Sequence, residues 1–123
     1  MRALVIDDSR AIRLILGQIM KKIGFEVTEA GNGQEALDKL NPNEPFELAL
    51  VDWNMPVMNG YDFVLNVRKD PAYNDMRLMM VTTETEMSQV VKALEAGANE
   101  YVMKPFTKDM IVEKLSLLGL DLG

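Results

Sequence analysis

Short continuous apolar runs alternate along this chain with stretches in which apolar side chains return every third or fourth position. Ala3 to Ile6, Leu48 to Val51 and Leu78 to Val81 are unbroken apolar runs, the pattern of strands covered on both faces; Phe25 to Thr28 and Tyr101 to Met103 are shorter candidates. Between them, Ile12, Ile15, Leu16, Ile19 and Ile23 recur at the offsets of a helix stripe, and Met87, Val90, Val91 and Leu94 do so again. Met110, Ile111, Leu115 and Leu118 make another stripe, and Ala36, Leu37 and Leu40, then Val64 and Leu65, mark two further helices. Asn41 to Pro45 and Asp70 to Asp75, rich in Pro, Asn and Asp, read as loops. Strands alternating with helices in this way predict an α/β protein: a doubly wound parallel five-stranded sheet, (βα)5, because parallel strands need crossovers and each crossover helix must cover a face.

Composition then removes whole classes of function. At 123 residues, 48% hydrophobic and 26% charged, residues 1–123 are expected to form one soluble domain, without a separate output module. A formal net charge of −6 argues against nucleic acid or an anionic membrane as a main partner and suits cations and basic patches. With no Cys and no His, thiolate metal sites, disulfides and the commonest general base are all absent. No stretch approaches the roughly 18 apolar residues of a membrane span, so a cytoplasmic protein is expected.

In parallel sheets of this kind ligands gather beyond the carboxyl ends of the strands. At those ends stand Asp7 and Asp8, then Asp52, then Thr82 and Thr83, then Lys104 and Pro105. Three carboxylates brought within a few ångströms repel, each pair by on the order of a few kcal/mol, and one lysine cannot neutralise them. Oxygen ligands without His or Cys favour a hard cation, and a partial protein shell with room for water and a phosphate oxygen favours Mg²⁺ over Ca²⁺. A phosphoryl group would then meet the cation, an ammonium and a hydroxyl, the parts its transfer requires. A carboxylate can itself accept the phosphoryl as an acyl phosphate, and Asp52, alone on the central strand, is better placed for this than the paired acids.

The segments VIDDS at 5–9, VDWNMPVMNG at 51–60, VTTE at 81–84 and YVMKPF at 101–106 together resemble the receiver domains of bacterial two-component response regulators, most closely the CheY-like single-domain chemotaxis regulators. The resemblance covers nearly the whole chain and implies the flavodoxin/CheY-like strand order 2-1-3-4-5. It implies that Asp52 is the phosphoacceptor, that Asp7, Asp8 and Asp52 hold Mg²⁺, and that the backbone carbonyl of Asn54 completes the metal shell. It further implies that Thr82 bonds a phosphoryl oxygen, that Lys104 pairs with the phosphoryl charge, that the Lys104–Pro105 peptide is cis, and that Tyr101 swings inward when Thr82 moves. A CheA-like histidine kinase would be the donor. A flagellar motor switch protein or another phosphorylation-dependent target would dock on helix 4, strand 5 and helix 5, with a phosphatase as a further partner. Such a protein is a monomer and not an enzyme in the ordinary sense, catalysing only its own aspartyl phosphorylation and dephosphorylation. Asn54 and Glu84 match the chemotaxis subgroup, whereas Ser9 stands where an aromatic occurs in well-known members and Thr83 replaces a small residue.

Each residue also has a plainer reading. Asp7, Asp8 or Ser9 could be only the N-cap of the helix that follows, stabilising it by roughly 1 kcal/mol. Capping accounts for one of them and does not explain two adjacent acids together with a third, Asp52, on another strand. Lys104 alone would be a solvated lysine, Thr82 a β-former, Tyr101 a core aromatic and Trp53 a half-buried one. GNGQEA at 31–36 fits a dinucleotide fingerprint with Asp52 about twenty residues on. Context opposes it, since Glu29 and Glu35 would repel a pyrophosphate, and Asn32 and Gly33 read as a tight turn into a helix. Three other functions stay in view: a phosphorelay intermediate or phosphate sink, a phosphohydrolase with Asp52 as nucleophile, and flavin binding. The second lacks a D-x-D pattern after a strand, and the third lacks a Ser/Thr/Gly-rich loop after the first strand.

Overall fold

A computed structural model describes residues 1–83 and 88–120 of the chain. In it the strands β1 (Arg2–Ile6), β2 (Glu26–Ala30), β3 (Leu48–Asp52), β4 (Arg77–Thr82) and β5 (Glu100–Met103) form one parallel sheet in the order 2-1-3-4-5. Helices α1 (Arg10–Ile23), α2 (Gly33–Asp38), α3 (Gly60–Arg68), α4 (Val90–Ala96) and α5 (Lys108–Leu117) make the crossovers and the closing element. The expected fold is therefore the observed one. Glu84 and Met87 lie outside the described residues.

Period-2 alternation splits each central strand between two cores. Leu4, Ile6, Ala49, Val51, Leu78 and Met80 face α2, α3 and α4, where they meet Ala36, Phe63, Val64, Val67 and Ala93. Ala3, Val5, Leu48, Leu50, Met79 and Val81 face α1 and α5, meeting Leu16, Met20, Ile111 and Leu115. Both faces being covered is why these strands are apolar without interruption. The edge strand β2 is mostly exposed or half-buried and begins one residue later than its apolar run suggests, with Phe25 buried just ahead of it.

Some stripe positions point elsewhere than expected. Ile15 is exposed, while Met20 packs inward, so the buried face of α1 is rotated from the stripe read in sequence. On α4, Val91 and Leu94 are exposed and the buried contacts are made by Val90 and Ala93. Ala93 is fully buried in the core it shares with Phe63, Val64 and Val67 of α3, and a side chain that small adds little to apolar periodicity. Met110 on α5 is likewise exposed, and Leu40 lies past the end of α2 although it still packs on the core. The loop around Asp70 to Asp75 contains a single 3-10 turn, Pro71–Tyr73, capped by Asp70.

The segment after β3 turns sharply. Gly60 donates its N–H to the Trp53 carbonyl at 2.9 Å, and a Cβ at position 60 would stand 2.2 Å from the Asp52 carbonyl oxygen, so only glycine lets α3 begin so near the strand end. Trp53 is buried in the core rather than half-exposed, 5.9 Å from the Tyr61 ring. Within the loop, Met58 donates to the Pro56 carbonyl at 2.7 Å across Val57, which has a φ of 67°. A β-branched residue in the left-handed region is strained by about 1–2 kcal/mol, and this one is exposed and packs little in return. Val57→Asn relieves that strain while keeping a side chain, so we expect it to raise unfolding stability by about 1 kcal/mol. A denaturant midpoint at or below that of the parent chain would contradict this.

Candidate functional site

The carboxyl ends of β1, β3, β4 and β5 bring the acids, the threonines and the lysine to one rim. Asp7 follows β1 directly, Asp52 ends β3, Thr82 ends β4, and Lys104 follows β5. Asp52 pairs in register with Val81, and Thr82 with Met103, so neighbouring strand ends lie side by side. The rim sits where the chain order reverses between β1 and β3, the switch point at which open α/β sheets place their ligands.

Carboxylate oxygens of Asp7, Asp8 and Asp52 lie within 4.8 Å of one another, Asp7 and Asp52 buried and Asp8 exposed. Lys104 reaches over the cluster, its Nζ 3.1 Å from Asp52 Oδ1 and 3.3 Å from Asp7 Oδ2. The Lys104 backbone N–H donates to the Thr82 carbonyl at 2.7 Å, and the Lys104–Pro105 peptide is cis, as the resemblance implies. Thr82 is buried, and its hydroxyl donates to the Thr83 carbonyl at 3.3 Å.

Ser9 is the N-cap of α1, its hydroxyl accepting from the Ile12 N–H at 3.3 Å, so neither Asp7 nor Asp8 is needed as a cap. Asn32 caps α2 by accepting from the Glu35 N–H, and the Glu35 carboxylate accepts from the Gly31 N–H at 3.0 Å. An acid occupies the amide that a pyrophosphate would need, which removes the dinucleotide reading.

The charges are poorly balanced as they stand. Burial, then repulsion from Asp7 and to a lesser degree Asp8, push the Asp52 carboxyl up from 3.8 to about 6 against the hydrogen bond and charge of Lys104. On Lys104, burial acts to lower the pKa, but the bond to Asp52 and the charges of Asp52 and Asp7 outweigh it, so the ammonium is held above its ordinary value. A pair of buried acids sharing one lysine with a third at the surface is what a divalent cation would relieve. The donor set, all carboxylate oxygen, is consistent with a divalent metal site for a hard ion.

Tyr101 is half-buried on β5, packed against the core on the α2–α4 side, with Lys114 Nζ 4.5 Å from its ring centroid. Asn54 is exposed, two residues beyond Asp52. Two contacts at the site were not expected from the sequence. The Ser9 N–H donates to Asp7 Oδ1 at 2.8 Å, and Arg13 Nη1 donates to the Asp7 carbonyl at 2.7 Å. A signal for Arg13 existed, since cations near a helix N-terminus oppose the helix dipole and call for another reason to be there.

The chain belongs to the response regulator receiver domain family, which its residues 3–116 match. More particularly it is a CheY-like receiver. It is 44% identical to a chemotaxis protein CheY homolog of Campylobacter jejuni across 100% of this chain and 96% of that one. It is 42% identical to chemotaxis protein CheY1 of Helicobacter pylori across 96% of each. Among solved structures, chemotaxis protein CheY4 of Vibrio cholerae is similar with a TM-score of 0.86 at 33% identity, covering 95% of this chain and 97% of that one. No helix among the described residues is long and apolar enough to cross a membrane.

Proposed function

We propose that the protein is a phosphorylation-activated signalling switch in chemotaxis, in which Asp52 takes a phosphoryl group from a histidine kinase. The reading is carried by one observation, the Asp52 carboxylate buried at the sheet rim, 3.1 Å from Lys104 Nζ and clustered with Asp7 and Asp8. The N–P bond of a phosphohistidine breaks as an O–P bond to Asp52 forms, and the departing imidazole takes up a proton from solvent. Lys104 is placed to meet the charge on the transferred group, and Thr82, one strand over, to donate to one of its oxygens. Asp7, Asp8, Asp52 and the Asn54 carbonyl would hold Mg²⁺, which supplies charge neutralisation at the phosphoryl oxygens.

Hydrolysis of the same acyl phosphate resets the switch, so turnover on external substrates is not expected. The output in this reading is a population shift: Thr82 drawn to the phosphoryl group vacates space that Tyr101 can enter, changing the face formed by α4, β5 and α5. The named relatives are chemotaxis proteins, which favours a CheA-like kinase, a flagellar motor switch protein as the target and a phosphatase as a further partner. The protein would act as a cytoplasmic monomer, with residues 1–123 as one receiver. Incubation with acetyl phosphate and Mg²⁺ followed by intact mass tests the chemistry. A mass gain of one phosphoryl group that a chelator abolishes is expected, and its absence would overturn the reading.

A further inference from the structure

Arg13 lies on the first turns of α1, 2.7 Å from the Asp7 carbonyl through Nη1 and 3.1 Å from Glu29 Oε1 through Nε. Its bonds therefore run to a backbone oxygen and to an acid on β2, and not to the carboxylates of the rim. The two bonds tie three elements together at one point, the end of β1, the start of α1 and the edge strand.

The Asp7 carbonyl belongs to the peptide that joins Asp7 to Asp8. Fixing that oxygen fixes the peptide plane, and the Asp8 side chain departs one bond beyond it. Asp7 is already secured, with Oδ1 accepting from the Ser9 N–H, Oδ2 from Lys104, and its own N–H bound to the Ala30 carbonyl at 3.1 Å. Asp8 is exposed, and among the described residues no hydrogen bond or ion pair holds its carboxylate. With no side-chain partner, its direction follows from its own rotamer and from the backbone it departs from, and Arg13 is the side chain that holds that backbone.

We infer that Arg13, oriented by Glu29, is a positioning residue for the cation site: by clamping the Asp7 carbonyl it aims the Asp8 carboxylate at the oxygens of Asp7 and Asp52. The inference rests on the metal reading above. Groups one step behind the ligands commonly change metal affinity by about 10–100-fold when removed, because they set ligand direction rather than ligand number. Glu29, itself half-exposed, acts by holding the guanidinium in place and is worth less.

The test is a Mg²⁺ titration of the metal-free full chain followed by Trp53 emission, paired with thermal melts in chelator. Arg13→Met keeps the aliphatic stem and should weaken Mg²⁺ binding about tenfold. Arg13→Lys, which retains one donor for the carbonyl, should recover part of that loss, and Glu29→Gln should weaken binding by roughly two- to threefold. A wild-type Kd in Arg13→Met overturns the inference even if its metal-free Tm falls, because that pattern marks a role in folding alone. Should Arg13→Met not fold, wild-type Kd values in both Arg13→Lys and Glu29→Gln overturn it. A parent chain whose emission and Tm ignore Mg²⁺ removes the metal reading itself, a result distinct from a parent that binds and variants that bind equally well.

Discussion

Asp52→Asn will leave the chain folded and abolish uptake of a phosphoryl group from acetyl phosphate, slowing it below detection, on the order of 10³-fold or more. The carboxamide is nearly isosteric, so the packing of a side chain that is 5% exposed should survive. Its oxygen can still accept from Lys104, as Asp52 Oδ1 does at 3.1 Å. What it cannot do is present an anionic oxygen to phosphorus. Intact mass after incubation with donor and Mg²⁺ reads the result directly. A gain that persists in Asp52→Asn would move the acceptor to another residue, with Asp7 and Asp8 the first to examine because they share the same cluster.

The second large effect concerns stability and its dependence on pH and metal. The Asp52 carboxyl titrates at about 6 in the folded chain against an ordinary 3.8. A raised carboxylate pKa means that the native state holds its proton more tightly than the unfolded one. Between about pH 4 and pH 6 the unfolded carboxyl is already ionised while the native one is not, so this group makes stability fall as pH rises through that window. Above it the full penalty remains, on the order of 3 kcal/mol for a difference of about two pKa units. Lys104, whose pKa is raised, stabilises the fold throughout this range, because that contribution is lost only above the ordinary lysine value.

In chelator the metal-free protein should melt lower at pH 7 than at pH 5, and Asp52→Asn should remove most of that slope and raise the Tm at pH 7 by roughly 10 °C. Mg²⁺ at about a hundred times its Kd adds about 2.7 kcal/mol to the native state, and a fixed Mg²⁺ concentration should stabilise far more at pH 7, where Asp52 is ionised, than at pH 4.5. An equal response to Mg²⁺ at both pH values, or a parent and Asp52→Asn with the same pH slope, would show that the cluster is not strained by its own charge.

Much of the fold was legible because burial on both faces writes a simple signature. Val5, Leu50 and Met79 face one core and Leu4, Val51 and Met80 the other, so the central strands had to be apolar throughout. The edge strand β2 gave a displaced boundary, since only part of it is covered. Helix faces were less legible where alanine and glycine make the contact. Ala93 is buried while its larger neighbours Val91 and Leu94 are exposed, which no hydrophobicity pattern would suggest.

The site divides in the same way. Asp7, Asp8, Asp52, Thr82 and Lys104 could be picked out because each polar group interrupts or follows an apolar run, and such interruptions are costly unless they serve a purpose. Arg13 left only the weak signal of a cation near a helix N-terminus, and the Ser9 N–H left none, being backbone.

By itself the amino-acid sequence determined the element order, the parallel sheet and the identities of the groups at its carboxyl rim, because these follow from local periodicity and from where apolar runs stop. Only the tertiary structure decided that the three carboxylates come within 4.8 Å, that one lysine bridges the two buried ones, and that an arginine clamps the peptide between the paired acids. Those are distances between residues far apart in the chain, set by strand register and helix packing. Electrostatic energy depends on such distances steeply, so the chemistry of the rim is a property of the folded chain.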